Sequence, residues 1–494
     1  MATESLKEAL TRVFALAPAG LAYDSRRVQP GFVFFAIKGF RQDGHDFVGD
    51  AIRRGAVGVV VEKEVAVPPG VVAVCVPDTR RALALAAAAF YGHPDRQLRL
   101  VGVTGTNGKT TTTHLIRAIY EAQGEKTGLI GTLWAMIGDA VLPAERTTPE
   151  SLDLQALLRR MVDEGVKTVV MEVSSHALAL ERVTGIEYDI AVFTNLTQDH
   201  LDFHRDMEDY YAAKARLFLE LEQPGVKGRP KRAVLNVDDP YGQRLAAASG
   251  GKVVTYGMEQ EAAFRAREIE LGRDGTTFTV EWAGGAVPVR LQLVGRFNVY
   301  NALAAFAVGV TEGYPVARVV EALEGVPAVP GRFERVDVGQ DFAVVVDYAH
   351  TPDGLENVLR AARAQTRGRV IVVFGCGGDR DPGKRPLMGE IAAKLADFTV
   401  ITSDNPRSED PQRIIAAIER GFRRCGAPGS YAVEADRRAA IALALGQAQA
   451  GDIVVLAGKG HEDYQIIGDK KLPFDDRKVA AEILREIIGK REGK

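Results

Sequence analysis

Residues 98–112 read LRLVGVTGTNGKTTT, which predicts an apolar strand, a glycine-containing loop and the start of a helix. In such a unit the loop N–H groups point inward and the helix N-terminus adds partial positive charge. The loop 105–110 is therefore predicted to bind the phosphates of ATP. Lys109 would reach the β- and γ-phosphates, and the Thr110 hydroxyl would hold Mg²⁺. The general phosphate-loop pattern has a glycine where this chain has Val103, so a surface turn is the alternative. The threonines after Lys109 are hard to explain in a surface turn, and they favour the phosphate site.

The composition is that of a globular protein without a dominant charge. The 494 residues are 46% hydrophobic and 26% charged, and the formal net charge is −3. This balance gives no global field that would attract nucleic acid or a membrane surface, so neither is expected as a partner. Cys75, Cys376 and Cys425 lack metal-site or disulfide spacing, which is typical of reduced thiols in the cytoplasm. No apolar run approaches the roughly 20 residues of a membrane span, and no signal peptide is expected.

Buried-type strands alternate with helical patterns along the chain, which predicts an α/β fold with parallel sheets covered on both faces. The expected strands include 168–171, 189–193, 233–235, 343–346, 370–374, 398–402 and 453–456. The alternating stretch 264–293 instead indicates an antiparallel side sheet. Turn-rich breaks near 93–95 and 327–331 predict three domains: a small N-terminal one, a central P-loop-type parallel-sheet domain and a C-terminal Rossmann-like domain. Their predicted bounds are 1–97, 98–328 and 329–494.

Unusual polar residues follow these strands, where open α/β sheets bind their ligands. The segments are 105–110, 172–176, 194–200, 347–351, 375–385, 404–407 and 458–462. Glu172 follows an apolar strand and could join Thr110 and His200 in holding Mg²⁺. A histidine in a loop is by default a surface residue, so this interpretation of His200 depends on the shared context. Lys214 lies in a helical pattern whose spacing favours a solvated or snorkelling side chain.

Six segments together resemble the Mur ligases, a family of ATP-dependent ligases. They are 103–112 (VTGTNGKTTT), 171–176 (MEVSSH), 193–202 (FTNLTQDHLD), 331–334 (GRFE), 347–352 (DYAHTP) and 374–380 (FGCGGDR). The resemblance runs in order through all three predicted domains. It also accounts for Val103, because this family carries the shorter glycine spacing in its ATP loop.

Within that family the segment 404–407 (DNPR) resembles the motif of those members that bind meso-diaminopimelate. The resemblance implies a cytoplasmic enzyme that joins this amino acid to UDP-N-acetylmuramoyl-L-alanyl-D-glutamate through an acyl phosphate, in peptidoglycan precursor synthesis. Diaminopimelate is lysine with a second amino-acid head, and an arginine is the natural bidentate partner for its extra carboxylate. Arg407 and Arg380 match that role. The other matching positions are Asp404 and Asn405 in the same motif, and Gly458 and Glu462 at the amino end of the incoming residue.

The resemblance also implies nucleotide and metal contacts. The nucleotide-binding positions are Gly105, Thr106, Asn107, Gly108, Lys109, Thr110, Thr111, Asn301, Arg332, Asp347 and His350. The implied metal ligands are Thr110, Glu172, His200 and Lys214. The implied catalytic residues are Lys109, Glu172, His200 and Lys214. Lys214 matches a lysine that becomes carbamylated, and the resulting anion positions a second Mg²⁺.

The contacts to the UDP substrate are implied in the same way. The uridine end matches Tyr23, Ser25, Phe40, Arg41 and Gln42, and the sugar-peptide part matches Thr147, Thr148, Ser174 and Arg182. Some members carry a glutamine where this chain has Leu180, so one contact to the substrate peptide differs. The enzyme is expected to be a monomer.

Three other functions compete with this prediction. A lysine-adding member of the family would gain nothing from burying Arg407. Folylpolyglutamate synthase shares the ATP loop, but its acceptor pocket needs neither Arg407 nor the first predicted domain. A nucleotide-binding regulatory protein without ligase activity is disfavoured, because the lysine, acidic and histidine positions at the strand ends are intact.

Overall fold

The structure is a computed structural model that describes residues 5–40, 42–144, 146–223, 225–249, 252–272 and 274–492. Arg41, one of the predicted uridine contacts, lies outside these residues. The strands are Gly20–Ala22 (β1), Phe32–Phe35 (β2), Gly58–Val61 (β3), Val72–Cys75 (β4), Arg99–Thr104 (β5), Thr127–Ile130 (β6), Ala135–Ile137 (β7), Ala140–Leu142 (β8), Thr168–Glu172 (β9), Ile190–Phe193 (β10), Arg232–Asn236 (β11), Lys252–Gly257 (β12), Phe264–Gly272 (β13), Gly275–Trp282 (β14), Gly285–Leu291 (β15), Glu334–Arg335 (β16), Ala343–Asp347 (β17), Val370–Phe374 (β18), Phe398–Ile401 (β19), Tyr431–Val433 (β20), Ile453–Ala457 (β21), Tyr464–Ile467 (β22) and Lys470–Pro473 (β23).

The α-helices alternate with these strands. They are Leu6–Ala15 (α1), Val48–Arg53 (α2), Thr79–Phe90 (α3), Lys109–Ala122 (α4), Ser151–Asp163 (α5), Ser175–Ala179 (α6), Met207–Leu219 (α7), Pro240–Ala248 (α8), Arg296–Thr311 (α9), Val316–Glu324 (α10), Pro352–Gln365 (α11), Lys384–Leu395 (α12), Pro411–Phe422 (α13), Arg437–Gln447 (α14) and Asp476–Glu492 (α15). In the described part of the chain, no helix is both long enough and apolar enough to cross a membrane.

The chain divides into two compact units. The first comprises Met1–Gly102, Glu125–Ala191 and Arg216–Lys231, and the second comprises Val103–Gly124, Val192–Ala215 and Arg232–Lys494. The first unit contains a parallel sheet in the order β1-β2-β3-β4 and a further group of strands in the order β9-β6-β7-β8. All residues of β3 are buried, as expected for a parallel strand covered on both faces.

The second unit contains two groups of strands that carry the candidate site. In one group, β11 and β12 are parallel and continue into the antiparallel strands β13, β14 and β15. The antiparallel side sheet predicted for 264–293 is therefore confirmed. The other group is a six-stranded sheet in the order β16-β17-β21-β18-β19-β20, accompanied by the hairpin β22-β23.

The six-stranded sheet has an apolar core on each face. Successive residues of β18 alternate between two buried clusters, with Val372 in one and Val373 in the other, because neighbouring side chains of a strand point to opposite faces. The strands β17, β21, β18, β19 and β20 run parallel. The segments 375–385, 404–407 and 458–462, which follow β18, β19 and β21, therefore emerge at one edge of this sheet.

The predicted α/β class is confirmed by these parallel sheets and their helices. The strands predicted at 370–374 and 168–171 are found at β18 and β9 with at most one residue of difference. The division into domains at 1–97, 98–328 and 329–494 stays a prediction, because the two compact units do not test it.

Candidate active site

The phosphate loop depends on two glycines with positive φ. Gly105 has φ 149° and Gly108 has φ 85°, values that a residue with a Cβ rarely adopts. A Cβ on Gly105 would overlap Thr194 Oγ1, and one on Gly108 would overlap Asn301 Oδ1. The backbone of the loop therefore approaches its neighbours more closely than a side chain would allow. This places Gly108 at the start of helix α4, where N–H groups are available to an anion.

Asn107 fixes the middle of the loop. Its carbonyl oxygen accepts hydrogen bonds from Thr194 Oγ1 at 2.7 Å and Asn195 Nδ2 at 3.2 Å. Its side-chain Nδ2 donates to Asp353 Oδ2 at 2.7 Å, and its Oδ1 accepts from Thr351 Oγ1 at 3.3 Å. Side chains at the end of β10 and the start of α11 thus hold the loop in place before any ligand binds.

A cavity of about 490 Å³ lies beside the loop in the second unit. The predicted nucleotide contacts that line it are Asn107, Gly108, Thr110, Thr111, Asn301, Arg332 and Asp347. Thr106 is held nearby, where its hydroxyl accepts the Thr197 N–H at 3.0 Å. Seven predicted residues from distant parts of the sequence therefore meet in one cavity. His350 is not among the lining residues, and its nucleotide contact stays a prediction.

Arg332 joins the predicted C-terminal part of the site to the phosphate loop. Its NH2 donates to Thr110 Oγ1 at 3.0 Å, and its guanidinium carbon lies 4.7 Å from the centre of the Tyr348 ring. Its Nε is buried without a hydrogen-bond partner among the described residues. Asp347 accepts the N–H groups of Phe333 and Ala349, and burial raises the pKa of its carboxyl group, opposed by Arg332. An unpaired buried donor in a cavity is a position where an anionic ligand gains a hydrogen bond.

Two lysines converge on one carbonyl oxygen of the loop. Lys109 Nζ donates to Gly105 O at 2.9 Å and to Thr106 O at 2.8 Å. Lys214 Nζ, on helix α7, donates to the same Gly105 O at 2.8 Å and lies 4.6 Å from the Tyr210 ring centre. Lys214 is only 1% exposed. Burial and the neighbouring charge of Lys109 hold the pKa of the Lys214 amine well below its ordinary value, although Asp199 opposes this. The prediction of a solvated or snorkelling Lys214 side chain, which the spacing alone favoured, is therefore wrong.

Asp199 links the two histidines that the sequence singled out separately. Its Oδ2 lies 3.4 Å from His200 Nε2 and 3.7 Å from His350 Nε2, and Lys384 Nζ lies 3.4 Å from its Oδ1. Burial raises the pKa of Asp199, but His200, Lys384 and His350 outweigh it and hold that pKa well below the usual range. His200 has a positive φ of 57°. Such strain in a polar loop is typical of a position constrained by function.

No group of three or more His, Cys, Asp or Glu side chains within the described ranges is arranged to hold a metal ion. Mg²⁺ commonly takes only one or two protein ligands and completes its shell with water and substrate phosphates. The Thr110 hydroxyl lines the nucleotide cavity and offers the oxygen that such a site needs. The donor set beside the loop therefore fits Mg²⁺ that is bound together with a phosphate ligand.

In the first unit, Glu172 is the centre of a hydrogen-bonded group. Its Oε1 accepts the Thr132 N–H at 2.9 Å, and Thr132 Oγ1 lies 3.1 Å from its Oε2 and 3.0 Å from Thr147 Oγ1. Thr148 Oγ1 donates to the Glu172 carbonyl oxygen at 2.8 Å and accepts the Ser174 N–H at 3.2 Å. Four predicted residues from two segments therefore lie together. The metal role of Glu172 stays a prediction.

The first unit contains a cavity of about 830 Å³. Most of the remaining predicted contacts to the UDP substrate line it. Its lining includes Tyr23, Ser25, Phe40, Gln42 and Arg182. The Phe40 ring is 75% exposed. Arg182 NH2 lies 3.0 Å from Glu150 Oε1, and burial lowers the pKa of the Arg182 guanidinium while Glu150 raises it. An exposed aromatic ring and a cation on one cavity suit a ligand that has both a base and negative charge.

A cluster of amide, acid and ammonium groups lies at the carboxyl ends of β19 and β21. Asn405 Nδ2 donates to Glu462 Oε2 at 2.8 Å, and Lys459 Nζ lies 3.1 Å from that same oxygen and 3.3 Å from Asn405 Oδ1. A Cβ on Gly458 would lie 2.6 Å from Asp404 Oδ2, so the two segments are in close contact. Burial and the nearby Asp404 raise the pKa of Glu462, while Lys459 lowers it. The residues predicted to contact the amino-acid substrate, Asp404, Asn405, Gly458 and Glu462, therefore lie together.

The two predicted arginines lie beside this cluster. Arg407 has a positive φ of 52°, and its NH1 donates to the Gly378 carbonyl oxygen at 2.7 Å. A Cβ on Gly377 would lie 2.9 Å from Arg407 NH1 and 3.6 Å from Arg380 Cγ, so both side chains pass the same glycine. The Arg380 side chain is 48% exposed, and its NH1 lies 4.0 Å from Asp202 Oδ2. The Gly378 N–H donates to the Asn405 carbonyl oxygen at 2.9 Å, which connects this pair of arginines to the cluster.

Three charged residues of this site had no predicted role: Asp199, Lys384 and Lys459. Lys459 is fully buried, and its position between two glycines just after a strand was a usable signal. Lys384 begins helix α12 and has the sequence context of a solvated basic residue. Its pairing with Asp199 depends on contacts between segments about 185 residues apart, which local sequence does not indicate.

The fold defines an ATP-dependent ligase together with the phosphate loop, its two converging lysines and the cluster of Asp404, Asn405, Lys459 and Glu462, here called the acceptor cluster. Comparison with known families agrees. Family models match at residues 19–91 (Mur ligase family, catalytic domain), 103–309 (Mur ligase middle domain) and 331–460 (Mur ligase, glutamate ligase domain). Together they cover most of the sequence, and the chain belongs to the Mur ligase family.

Individual relatives narrow the comparison. The chain is 52% identical to the UDP-N-acetylmuramoyl-L-alanyl-D-glutamate--2,6-diaminopimelate ligase of Caldanaerobacter subterraneus, over 95% of each sequence. It is 34% identical to a solved structure of a ligase with the same name, with 95% of each chain covered and a TM-score of 0.67. The MurF ligase of Thermotoga maritima, solved in complex with ADP, has a TM-score of 0.65 at 19% identity and covers 96% of this chain and 99% of its own. The last of these similarities concerns the fold alone.

Proposed function

We propose that this ligase joins meso-diaminopimelate to the D-glutamate of UDP-N-acetylmuramoyl-L-alanyl-D-glutamate, with ATP and Mg²⁺. The observation that carries the proposal is Arg407, whose NH1 donates to the Gly378 carbonyl oxygen, while the Gly378 N–H donates to the carbonyl oxygen of Asn405 in the cluster with Glu462. The names of three relatives that are 50–52% identical support the same substrates. The three-domain division at 1–97, 98–328 and 329–494, a cytoplasmic location and a monomeric state belong to this proposal.

The acceptor cluster suits an amino acid with two heads. The carboxylates of Asp404 and Glu462 attract an ammonium group, and Arg407 offers a planar fork for a carboxylate. Lysine lacks the second carboxylate and would leave that fork without a ligand. Arg407 is half-buried, and a site that hydrogen-bonds a substrate group rejects an analogue without that group more strongly than a methylene contact does.

In the first step, a carboxylate oxygen of D-glutamate attacks the γ-phosphorus of ATP. A new O–P bond forms, the bond between the γ-phosphorus and the bridging oxygen breaks, and ADP leaves. Positioning and charge neutralisation provide most of the catalysis of phosphoryl transfer. The loop N–H groups and Lys109 hold the phosphates, and the unpaired Arg332 Nε is a further donor on the same cavity.

In the second step, the neutral amine of diaminopimelate attacks the acyl carbon. The C–N bond forms, the bond from the acyl carbon to the phosphate oxygen breaks, and phosphate leaves. The amine must first lose a proton, and a carboxylate with a raised pKa is a suited acceptor. Glu462 has that property, because burial and Asp404 raise its pKa. We assign it this role and leave Asp404 to orient the ammonium group.

Bound Mg²⁺ would neutralise charge on the phosphate oxygens. Thr110 and His200 are proposed to hold one Mg²⁺, and a carbamylated Lys214 is proposed to position a second. Carbamylation joins CO₂ to a neutral amine, forms an N–C bond and releases a proton. The lowered pKa of Lys214 favours the neutral amine that this reaction needs. The product is an anion, so it also removes the repulsion between Lys214 and Lys109.

The cavity of the first unit is proposed to hold the uridine end of the substrate. Phe40 offers an exposed ring on which a base can stack, and Tyr23, Ser25 and Gln42 supply polar groups around it. Thr147, Thr148, Ser174 and Arg182 are proposed to contact the sugar-peptide part. The adjacent hydrogen bonds among Thr148, Ser174 and Arg182 support a preformed surface at that position.

Phosphate release tests the proposal against its rivals. The protein is supplied with ATP, Mg²⁺ and UDP-N-acetylmuramoyl-L-alanyl-D-glutamate, and diaminopimelate or lysine is added in turn. Release only with diaminopimelate is the expected result. Equal release with lysine would overturn the specificity, and no release with either would overturn ligation of these substrates. Release with a folate and glutamate would indicate a folylpolyglutamate synthase instead.

A further inference from the structure

Arg437, the first residue of helix α14, is a buried arginine at the carboxyl ends of strands in the six-stranded sheet. Its side chain and that of Asp476 are both 0% exposed. Nε lies 2.9 Å from Asp476 Oδ1, and NH2 lies 2.6 Å from Oδ2. The two planar groups therefore form a bidentate pair, the geometry that fixes orientation best.

The same guanidinium also bonds two backbone carbonyls. NH2 donates to Ala457 O at 3.0 Å, and NH1 reaches Ser403 O at 3.4 Å. Ala457 is the last residue of β21 and precedes Gly458, and Ser403 precedes Asp404. Ser403 follows β19, and β19 and β21 are not neighbours, because β18 lies between them in the sheet. One side chain thus connects the starts of the two segments that form the acceptor cluster.

The fit between these two segments leaves little room. A Cβ on Gly458 would lie 2.6 Å from Asp404 Oδ2, and Gln465 Nε2 holds the Asp404 carbonyl oxygen at 2.7 Å. A shift of either segment would change the distance between Asp404 and Glu462. Displacements of about 1 Å in a binding constellation are enough to reduce activity strongly.

We propose that Arg437, held by Asp476, is a positioning residue that sets the spacing of the segments 404–407 and 458–462 and thereby the affinity for the amino-acid substrate. This inference rests on the proposed function. Arg437 touches no substrate in this scheme and acts through the backbone at Ser403 and Ala457. Its charge persists in the buried site: burial lowers its pKa, but Asp476, Asp404 and Glu462 outweigh this and raise it above the ordinary value.

Arg437→Lys tests the inference, because lysine keeps the charge but loses the planar fork. Initial rates are measured with varied diaminopimelate and with varied ATP, together with the thermal unfolding midpoint. The KM for diaminopimelate is expected to rise at least about 10-fold, as for the loss of one hydrogen bond to a charged group. The KM for ATP is expected to stay within about 2-fold, since the nucleotide cavity does not contain Arg437.

Arg369→Lys is the matched control, because Arg369 and its partner Asp452 lie directly before β18 and β21, at the ends opposite those that carry the cluster. Arg369 Nε and NH2 lie 3.0 and 2.7 Å from Asp452 Oδ2, and NH2 donates to Gln447 O at 2.7 Å. Arg369 is therefore also an arginine paired with aspartate and bonded to a carbonyl, but it lies far from the strand ends that carry the cluster. This control is expected to lower stability and leave both KM values unchanged.

Three results would overturn the inference. They are an unchanged KM for diaminopimelate in Arg437→Lys, an equal rise of both KM values, or the same KM change in Arg369→Lys. If Arg437→Lys does not fold, Asp476→Asn, which keeps the arginine, decides by the same comparison. A failure of the proposed function is distinguishable from these results, because in that case even the wild-type protein would release no phosphate with diaminopimelate.

Discussion

Replacing Arg407 with lysine removes the fork that is proposed to hold the second carboxylate of diaminopimelate. A guanidinium has five N–H donors, and Arg407 uses one on NH1 for the Gly378 carbonyl oxygen. No other side-chain hydrogen bond of Arg407 is formed within the described part of the chain, which leaves the outer donors for a ligand. Lysine is the suitable replacement because position 407 has φ 52°. That conformation costs any residue with a Cβ roughly 1–2 kcal/mol, so the substitution leaves the backbone strain unchanged.

The expected magnitude follows from the bonds that are lost. A hydrogen bond to a charged group contributes roughly 1.5–3 kcal/mol, and about 1.4 kcal/mol corresponds to a factor of ten. The loss of one such bond should raise the KM for diaminopimelate about 10- to 150-fold. Lysine has no second carboxylate, so kcat/KM with lysine should stay within about 2-fold of wild type. The ratio of kcat/KM with diaminopimelate to kcat/KM with lysine should therefore fall by the same factor by which the KM for diaminopimelate rises.

Phosphate release at saturating ATP and UDP substrate, with varied diaminopimelate or lysine, gives both ratios. Arg424→Lys serves as the control, since Arg424 forms an exposed pair with Glu390 at 2.9 Å and such pairs contribute little. The control should match wild type with both amino acids. The reasoning is refuted if Arg407→Lys keeps the wild-type preference, or if kcat/KM falls equally with diaminopimelate and lysine.

Three further predictions concern the loop, the buried lysine and the pH dependence of stability. Gly108→Ala should raise the KM for ATP more than about 10-fold, since the new Cβ adds a clash with Asn301 to the backbone strain. Gly124→Ala, which has similar φ and open space around it, should lose stability only; equal kinetics in both variants would contradict this. Lys214→Arg should abolish the carbamate signal that ¹³C-bicarbonate gives in NMR spectra, and the wild-type signal should fade as pH drops and the amine becomes protonated; a signal that persists in the variant would rule out this lysine. Burial raises the pKa of Glu220 to about 7 from 4.5, so the folded protein resists its ionisation and loses stability between these two pH values. Glu220→Gln should therefore stabilise the protein at pH 8 by up to about 3 kcal/mol and hardly at all below pH 4.5, and equal unfolding midpoints of the two proteins at pH 8 would contradict this.

The strands and the class of fold could be predicted because they depend on local patterns. Continuous apolar runs such as 370–374 can be buried on both faces only in a covered parallel sheet, and β18 is found there. The alternation in 264–293 likewise predicted antiparallel strands, which the pairing of β13 with β14 confirms. The order of strands in the six-stranded sheet, where β21 lies between β17 and β18, was beyond reach. It depends on contacts between segments about 100 residues apart.

The candidate site was partly predictable for the same reason. Gly105 to Thr111 form one local motif, and polar residues after strands were expected to share an edge. The environment of Lys214 could not be predicted from its neighbours, because its burial comes from the phosphate loop, 109 residues earlier in the sequence. Arg437 and Asp476 gave no signal either. A buried ion pair is visible in a sequence only when its partner is known, and these two residues are 39 positions apart.

Backbone strain and buried charge coincide at this site, and the coincidence is more informative than strain alone. His200, Asp379 and Arg407 all have positive φ, and all lie in polar segments that follow strands. Glu268 also has positive φ, but it lies where the pairing of β13 with β14 shifts register, so its conformation has a structural cause. A strained residue with no such cause, next to buried charges at strand ends, indicates a position held for a ligand. Arg437 is different: its φ is not positive, it is paired with Asp476, and it bonds the Ser403 carbonyl oxygen directly before the segment 404–407. It follows that Arg437→Lys should weaken binding through its neighbours, whereas Arg407→Lys should change which amino acid is bound.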